Sequence, residues 1–401
     1  MLCVVFDVVV LPKPTMLHEI LRMAAYAVAL LVYVLLAVLM MILWLRKFLG
    51  ILQNRYGPNR VGPMGYAQTA ADALKLFLKE DVIPTLADKA TFIVAPSIVF
   101  IPAYLVYVVI PFGPGVVAAD LNIGIIFISA IASIAVIGFL AAGWASNNKY
   151  SLLGAMRSAA QIVSYEVPMV LTMLCPVILV GSLRLSDIVA AQTGMWFVLA
   201  MPILAMVYLT AGLAEVNLTP FDMVEAESEL VAGFNTEYSG MKFALFFLAE
   251  FANTFTISAI AVALFFGGWH LLPFNAFGLN TAIEGFGLLG KIICVLVFML
   301  KAWAMVFFTM WLRGTLPRIR VDQLMEFGWK ALIPIALLGI LVIGLVAALP
   351  ISQPVRLAIL AGLQWLTILG VVLLGRRTKV ALGGSPVKVL SRAAIPQRSR
   401  L

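Results

Sequence analysis

Apolar runs of about twenty residues recur along this chain, and nothing else in the sequence narrows its folding options as far. A hydrocarbon core about 30 Å thick is crossed by roughly 20 residues of α-helix. Backbone N–H and C=O groups in lipid must be satisfied within the protein, which leaves helices and closed barrels. The ten-residue alternating pattern of barrel strands is absent, so the chain reads as an all-α polytopic membrane protein. Composition agrees, with 63% hydrophobic and only 11% charged residues, where a soluble domain carries about a quarter charged. Nine transmembrane spans are expected, near residues 20–45, 91–111, 121–145, 162–182, 196–216, 241–268, 288–311, 330–350 and 355–374. They form one transmembrane domain over 1–375, followed by a basic cytoplasmic tail over 376–401 that is expected to be flexible. The N-terminus lacks the basic start and small-residue cleavage site of a signal peptide, so the first helix is expected to be retained.

Lysine and arginine give the orientation, because cytoplasmic loops collect them. The first loop holds Arg46, Lys47, Arg55, Arg60, Lys75, Lys79 and Lys89, the third Lys149 and Arg157, and the seventh Arg313, Arg318 and Arg320. Even-numbered loops hold only Arg184, Lys291 at a helix edge and Arg356. Odd loops therefore face the cytoplasm and the N-terminus lies outside. The fifth loop breaks this pattern: it is cytoplasmic by the count, yet Glu215, Asp222, Glu225, Glu227, Glu229, Glu237 and Glu250 crowd into it and its flanking helix ends. No repeat with a period of 20 to 50 residues and no inverted copy of one half is present, which weighs against a self-contained secondary transporter. Cys3, Cys175 and Cys294 are isolated, and His18 and His270 are the only histidines, so no metal, haem or iron–sulfur centre is expected in this chain.

Four places can carry chemistry. In the first loop, Ala70, Leu74, Phe77 and Leu78 fall on one helical face, with Gln68, Asp72, Lys75 and Lys79 on the other. That describes a short amphipathic helix on the cytoplasmic side, either anchored in headgroups or forming a lintel over an opening for something amphiphilic. In the fourth span, Glu166 is expected within the first turns, two residues before Pro168, whose ring frees a carbonyl that Gln161, Ser164 and Tyr165 are near enough to help satisfy. In the sixth, Glu250 heads a polar stripe with Asn253, Thr254 and Ser258, which is either a proton site or a hydrogen-bonded helix–helix seam. The acidic loop itself reads as a docking surface for a basic partner or as a proton store; if Asp222–Glu229 is helical, Asp222, Glu225 and Glu229 share a face. Clustered carboxylates repel, which raises their proton affinity and couples their titration.

The stretches "QNRYGPNRVGP", "ADALKLFLKED", "GWASNNKYSLLGAMRSAAQIVSYE", "TPFDMVEAESELVAGFNTEYSG" and "LPRIRVDQLMEFGWK" resemble the membrane subunit at the heel of respiratory complex I, the NADH:quinone oxidoreductase H subunit family, from about Arg46 to Lys330. The resemblance implies a membrane component of a proton-translocating enzyme that forms part of a quinone chamber. Arg46, Arg55, Asp72 and Lys75 would lie near its entrance, and Arg318 and Arg320 in an arginine-rich loop contributing to it. Asp222, Glu225, Glu227 and Glu229 would link the chamber to Glu166, Glu215, Glu237 and Glu250 as a proton relay. Quinone is the implied substrate, and FMN and iron–sulfur clusters are implied in partner subunits, none in this chain. The implied partners are the quinone-site peripheral subunits, neighbouring membrane-arm subunits and the lipid bilayer of a bacterial inner membrane, with no nucleic acid. The family's usual Glu-Arg-Lys or Glu-Arg-Arg, Asn-Arg-Thr-Pro and Arg-Tyr-Asp-Gln stand here with Leu45, Leu218 and Val321 at one position each, which removes a contact in each case. The alternatives are the related membrane component of an energy-converting membrane-bound hydrogenase, and a stand-alone cation/proton antiporter or structural anchor.

Overall fold

The computed structural model describes residues 16–223, 231–273, 280 and 285–382. Its elements in chain order are α1 (Met16–Leu52), α2 (Gln68–Leu78), α3 (Lys89–Leu105), α4 (Gly124–Ala145), α5 (Lys149–Val180), α6 (Leu185–Ala190), α7 (Phe197–Ala200), α8 (Pro202–Glu215), α9 (Gly240–Leu264), α10 (Gly287–Thr315), α11 (Val321–Phe327), α12 (Ile333–Ala348) and α13 (Gln353–Leu382). Eight helices among the described residues are long and apolar enough to span a membrane. Among those residues there is no strand, only an isolated bridge between Gly113 and Val116. The chain is a multi-pass, all-α membrane protein.

The expected fifth span is present but broken. Met201 leaves helical geometry at φ −136°, and Pro202 opens a second piece of only 14 residues, about 21 Å at 1.5 Å per residue. Neighbours take up the backbone groups around the break. Val198 N–H donates to Phe265 O at 2.8 Å, Ile203 N–H to Gln364 Oε1 at 3.1 Å, and Trp365 Nε1–H to Leu199 O at 3.0 Å. An irregular backbone at membrane depth is tolerated where protein surrounds it in this way.

Three other expectations shift. The fourth span belongs to a helix that starts at Lys149, capped by the Asn148 side chain, so Glu166 lies in its middle rather than in its first turns. Gln161, Ser164 and Tyr165 also do not serve the turn opened by Pro168: their polar atoms donate to Ala214 O and Phe221 O, to Ala160 O, and to Leu324 O respectively. The last span continues as helix to Leu382, past the expected boundary at 375, and residues 383–401 lie outside the described residues.

The core lies between α3, α4, α5, α8 and α9, where small residues let helices approach closely. Leu338, Leu341 and Leu345 of α12 are exposed, as on a helix that faces lipid.

Candidate functional site

Glu215 is the last residue of α8, and the chain then folds back on that helix through a hydrogen bond from Leu218 N–H to Leu213 O at 3.2 Å. Gln161 of α5 fixes both sides of this reversal. Its Nε2 donates to Ala214 O and to Phe221 O, each at 2.7 Å, so one buried amide holds the carbonyls immediately before Glu215 and Asp222.

The reversal closes one side of a cavity of about 40 Å³. Three carboxylates line it: Glu215 and Asp222 from the reversal and Glu250 from α9. Asn217, Asn235 and Asn253 share the lining, with an apolar wall that includes Pro102, Ala132 and Phe139. Buried oxygens of Glu215, Asn217, Asn235 and Gln161 have no hydrogen-bond partner among the described residues, an arrangement that internal water commonly completes.

Glu166 stands beside this group, within electrostatic range of Glu215, and accepts a hydrogen bond from Ser133 Oγ of α4. Glu250 faces Arg313 of α10, with Arg313 Nη1 3.7 Å from Glu250 Oε1 and about a fifth of each side chain exposed. The rest of the α9 stripe divides. Asn253 lines the cavity, whereas Thr254 and Ser258 donate back to the carbonyls of Glu250 and Thr254 on their own helix, so the hydroxyls form no seam to a neighbour. Glu237 is set apart: it accepts from Asn148 Nδ2 at 2.7 Å and lines a second, open cleft with Trp144, Asn147 and Lys149. Asp222 is not helical, and Glu225, Glu227 and Glu229 lie outside the described residues.

The basic candidates gather in two places. Arg46 of α1 pairs with Asp72 of α2, Lys75 Nζ lies 3.9 Å from the same carboxylate, and Gln68 Nε2 donates to it at 3.2 Å. Asp72 thereby fastens the polar face of α2 to α1, while Ala70, Leu74, Phe77 and Leu78 remain exposed on the other face. Arg55 is exposed, and among the described residues its side chain bonds locally, to Gln53 Oε1 at 2.7 Å. The turn between α1 and α2 relies on Gly65 at φ +77°, where a Cβ would sit 2.1 Å from Pro58 O.

Arg318 and Arg320 belong to the segment leaving α10. A Cβ on Gly314 would meet Leu49 and Leu52 at the end of α1, and Ile319 N–H donates to Pro220 O at 3.2 Å. Arg318 Nη2 approaches Met223 Sδ at 3.7 Å. The arginine segment therefore lies between the end of α1 and the Pro220–Met223 stretch that carries Asp222.

Sequence reasoning missed the role of Gln161 as a brace and of Arg313 and Ser133 as partners of Glu250 and Glu166. Spacing held no signal for them, since each contact joins residues far apart in the chain. Among the described residues no group of three His, Cys, Asp or Glu is arranged to hold a metal ion.

A family model described as NADH dehydrogenase matches residues 25–344. The H subunit of an NADH-quinone oxidoreductase of Dehalococcoides mccartyi (strain CBDB1) is 46% identical over 371 residues, which is 92% of this chain and 98% of that relative. The chain belongs to the NADH-quinone oxidoreductase H subunit family. A second H subunit, of Anoxybacillus flavithermus (strain DSM 21510 / WK1), is 50% identical over 305 residues, 76% of this chain and 87% of the relative. The region matched by the family model contains the cavity residues named above and Arg46, Arg55, Arg313, Arg318 and Arg320, and stops short of α13.

Proposed function

We propose that this member of the H subunit family works in a proton-translocating NADH:quinone oxidoreductase of a bacterial inner membrane, with its N-terminus outside. In this reading it forms part of a quinone chamber and relays protons through its carboxylates. The observation that carries the reading is the cavity in which Glu215, Asp222 and Glu250 meet, next to the segment of Arg318 and Arg320. Its volume of about 40 Å³ has room for roughly two or three water molecules. Waters on the unpartnered oxygens of Glu215, Asn217 and Asn235 would connect the carboxylates that line the cavity.

Reduction of a quinone to a quinol consumes two electrons and two protons. Flavin and iron–sulfur centres, assigned to partner subunits, supply the electrons; residues of this chain bind, orient and hold protons. The exposed apolar face of α2, with Arg46, Asp72 and Lys75 on its other side and Arg55 nearby in sequence, suits an isoprenoid tail passing a charged rim. Arg318 and Arg320 would hold negative charge developing on the headgroup. That charge would bias Asp222 and, through water, Glu215, Glu166 and Glu250. Glu225, Glu227 and Glu229 are assigned to the same link from sequence, and Glu237 to a branch through its own cleft.

In the assembled complex, Glu215→Gln is expected to abolish quinone-linked proton pumping while NADH oxidation by an artificial acceptor is retained. Pumping equal to wild type would remove Glu215 from the relay, and equal loss of both activities would mean failed assembly rather than a broken relay. Arg320→Ala is expected to raise the KM for a short-chain quinone roughly tenfold, the loss of one charge-assisted hydrogen bond of about 1.4 kcal/mol. An unchanged KM would exclude Arg320 from the headgroup site.

A further inference from the structure

The segment leaving α2 docks onto the start of α9, the helix that carries Glu250. Lys242 Nζ lies 2.9 Å from Asp81 Oδ2, and only 12% of the Lys242 side chain is exposed against 52% for Asp81. The same ammonium lies 5.1 Å from the centre of the Phe92 ring of α3. Tyr238 stacks on the Phe92 ring, with centroids 4.1 Å apart and planes 3° from parallel. Tyr238 is buried, which pushes its phenol above the usual tyrosine range and keeps it neutral beside the ion pair.

Backbone contacts reinforce the charge contact. Val82 N–H donates to Ser239 Oγ at 3.3 Å, and Ser239 Oγ donates to Glu80 O at 3.4 Å. Gly240 has φ +58°, and a Cβ there would come 3.3 Å from Lys79 O, so the two chain segments meet with no side chain between them. The helix α2 is thus attached twice: to α1 through Arg46 and Asp72, and to α9 through Asp81 and Lys242. From Lys242, α9 runs eight residues to Glu250, about 12 Å along a hydrogen-bonded helix. A helix of that length transmits a displacement of its end, because its packed interior does not deform continuously.

We infer that the Asp81–Lys242 clamp is the mechanical link between α2 and the Glu250 cavity, and that both residues are positioning residues for coupling quinone chemistry to proton movement. The inference rests on the proposed function and assigns it a transmission route. A mostly desolvated lysine suits the role, since removal of its partner leaves a charge that the surrounding apolar rings cannot hold in place.

The test uses the whole complex in sealed vesicles, with protons pumped per NADH oxidised as the readout and a short-chain quinone as acceptor. Asp81→Asn, which removes the charge of the half-exposed partner but keeps its size and a side-chain oxygen, and Lys242→Met are each expected to leave NADH oxidation by an artificial acceptor unchanged. Each should lower the pumped ratio roughly twofold or more, the size of a modest coupling change. Lys242→Arg should keep the ratio, and the exchange Asp81→Lys with Lys242→Asp should restore it. A purely structural role scales pumping and turnover together, so an unchanged ratio in Asp81→Asn overturns the clamp whether activity holds or falls. A ratio that drops and is not restored by the exchange overturns charge attraction as the link. Wild-type vesicles that reduce quinone but pump nothing would sink the proposed function instead, which separates the two failures.

Discussion

Gln161 shows how one side chain can set a site it does not chemically enter. It is 1% exposed, and its two hydrogen bonds fall on the carbonyls preceding Glu215 and Asp222. Gln161→Leu keeps the volume but removes the amide donor from Ala214 O and Phe221 O, which keep only the backbone donors Asn217 N–H and Met223 N–H. Each lost hydrogen bond costs about 0.5–1.5 kcal/mol. The variant is expected to melt at lower temperature and to pump fewer protons per NADH, with the quinone KM unchanged. Melting and pumping both equal to wild type would show that the reversal holds itself. Single residues were the least legible level of the sequence. Glu166, Glu215 and Glu250 stood out because a carboxyl is rare in an apolar helix. Gln161 did not, because its partners lie 53 and 60 residues away and an amide in a long polar-flanked helix has many bland uses.

At the scale of elements, hydropathy located the helices because length and apolarity decide whether a segment can lie in lipid. It passed through the break at Met201 without a signal, since Ala200, Met201 and Pro202 are all compatible with an apolar run. Pro202 was the available clue, as proline favours the first turn of a helix, but the break also needs Phe265, Gln364 and Trp365 to satisfy its backbone. Helix spacing rests on small residues. A Cβ on Gly138 of α4 would approach Val99 Cγ2 of α3 to 2.5 Å and Val99 N to 3.1 Å. The valine methyl can rotate away, but the backbone nitrogen cannot. Gly138→Ala is therefore expected to push α3 and α4 apart at a cost of about 1–3 kcal/mol, read as a lower melting temperature and a smaller yield of assembled complex. Since Ala132 and Pro102 of these helices line the cavity, pumping should fall as well. Wild-type melting would mean that the crossing has slack.

Across the whole molecule, α10 ties the bundle at two depths. Near its C-terminal end Arg313 faces Glu250, and twelve residues earlier Lys301 reaches the far end of the same partner helix, α9. The Lys301 ammonium donates to Phe266 O at 2.8 Å, to Gly268 O at 3.1 Å and to His270 O, and lies 4.0 Å from the centre of the Trp196 ring. Those carbonyls follow the end of α9, where Gly267 and Gly268 have φ +73° and +51° and the backbone turns away from helix. One lysine therefore joins α10, the end of α9 and the chain leading into the broken span. Charge counting could assign Arg313 to a loop, but it gave no reason to connect Lys301 with Gly268, 33 residues away. The two ties have different consequences. Loss of Lys301 strands carbonyls at about 1–3 kcal/mol for each one buried, with no carboxylate of the cavity involved. Lys301→Met is expected to lower the melting temperature of the complex while the assembled fraction keeps its protons pumped per NADH. Arg313→Gln should do the reverse, lowering the pumped ratio with a small change in melting, because Arg313 touches the cavity through Glu250. Measuring both quantities on both variants distinguishes the ties: a reduced ratio with normal melting in Lys301→Met would place that lysine in the relay and show that the middle and the C-terminal end of α10 act as one electrostatic unit.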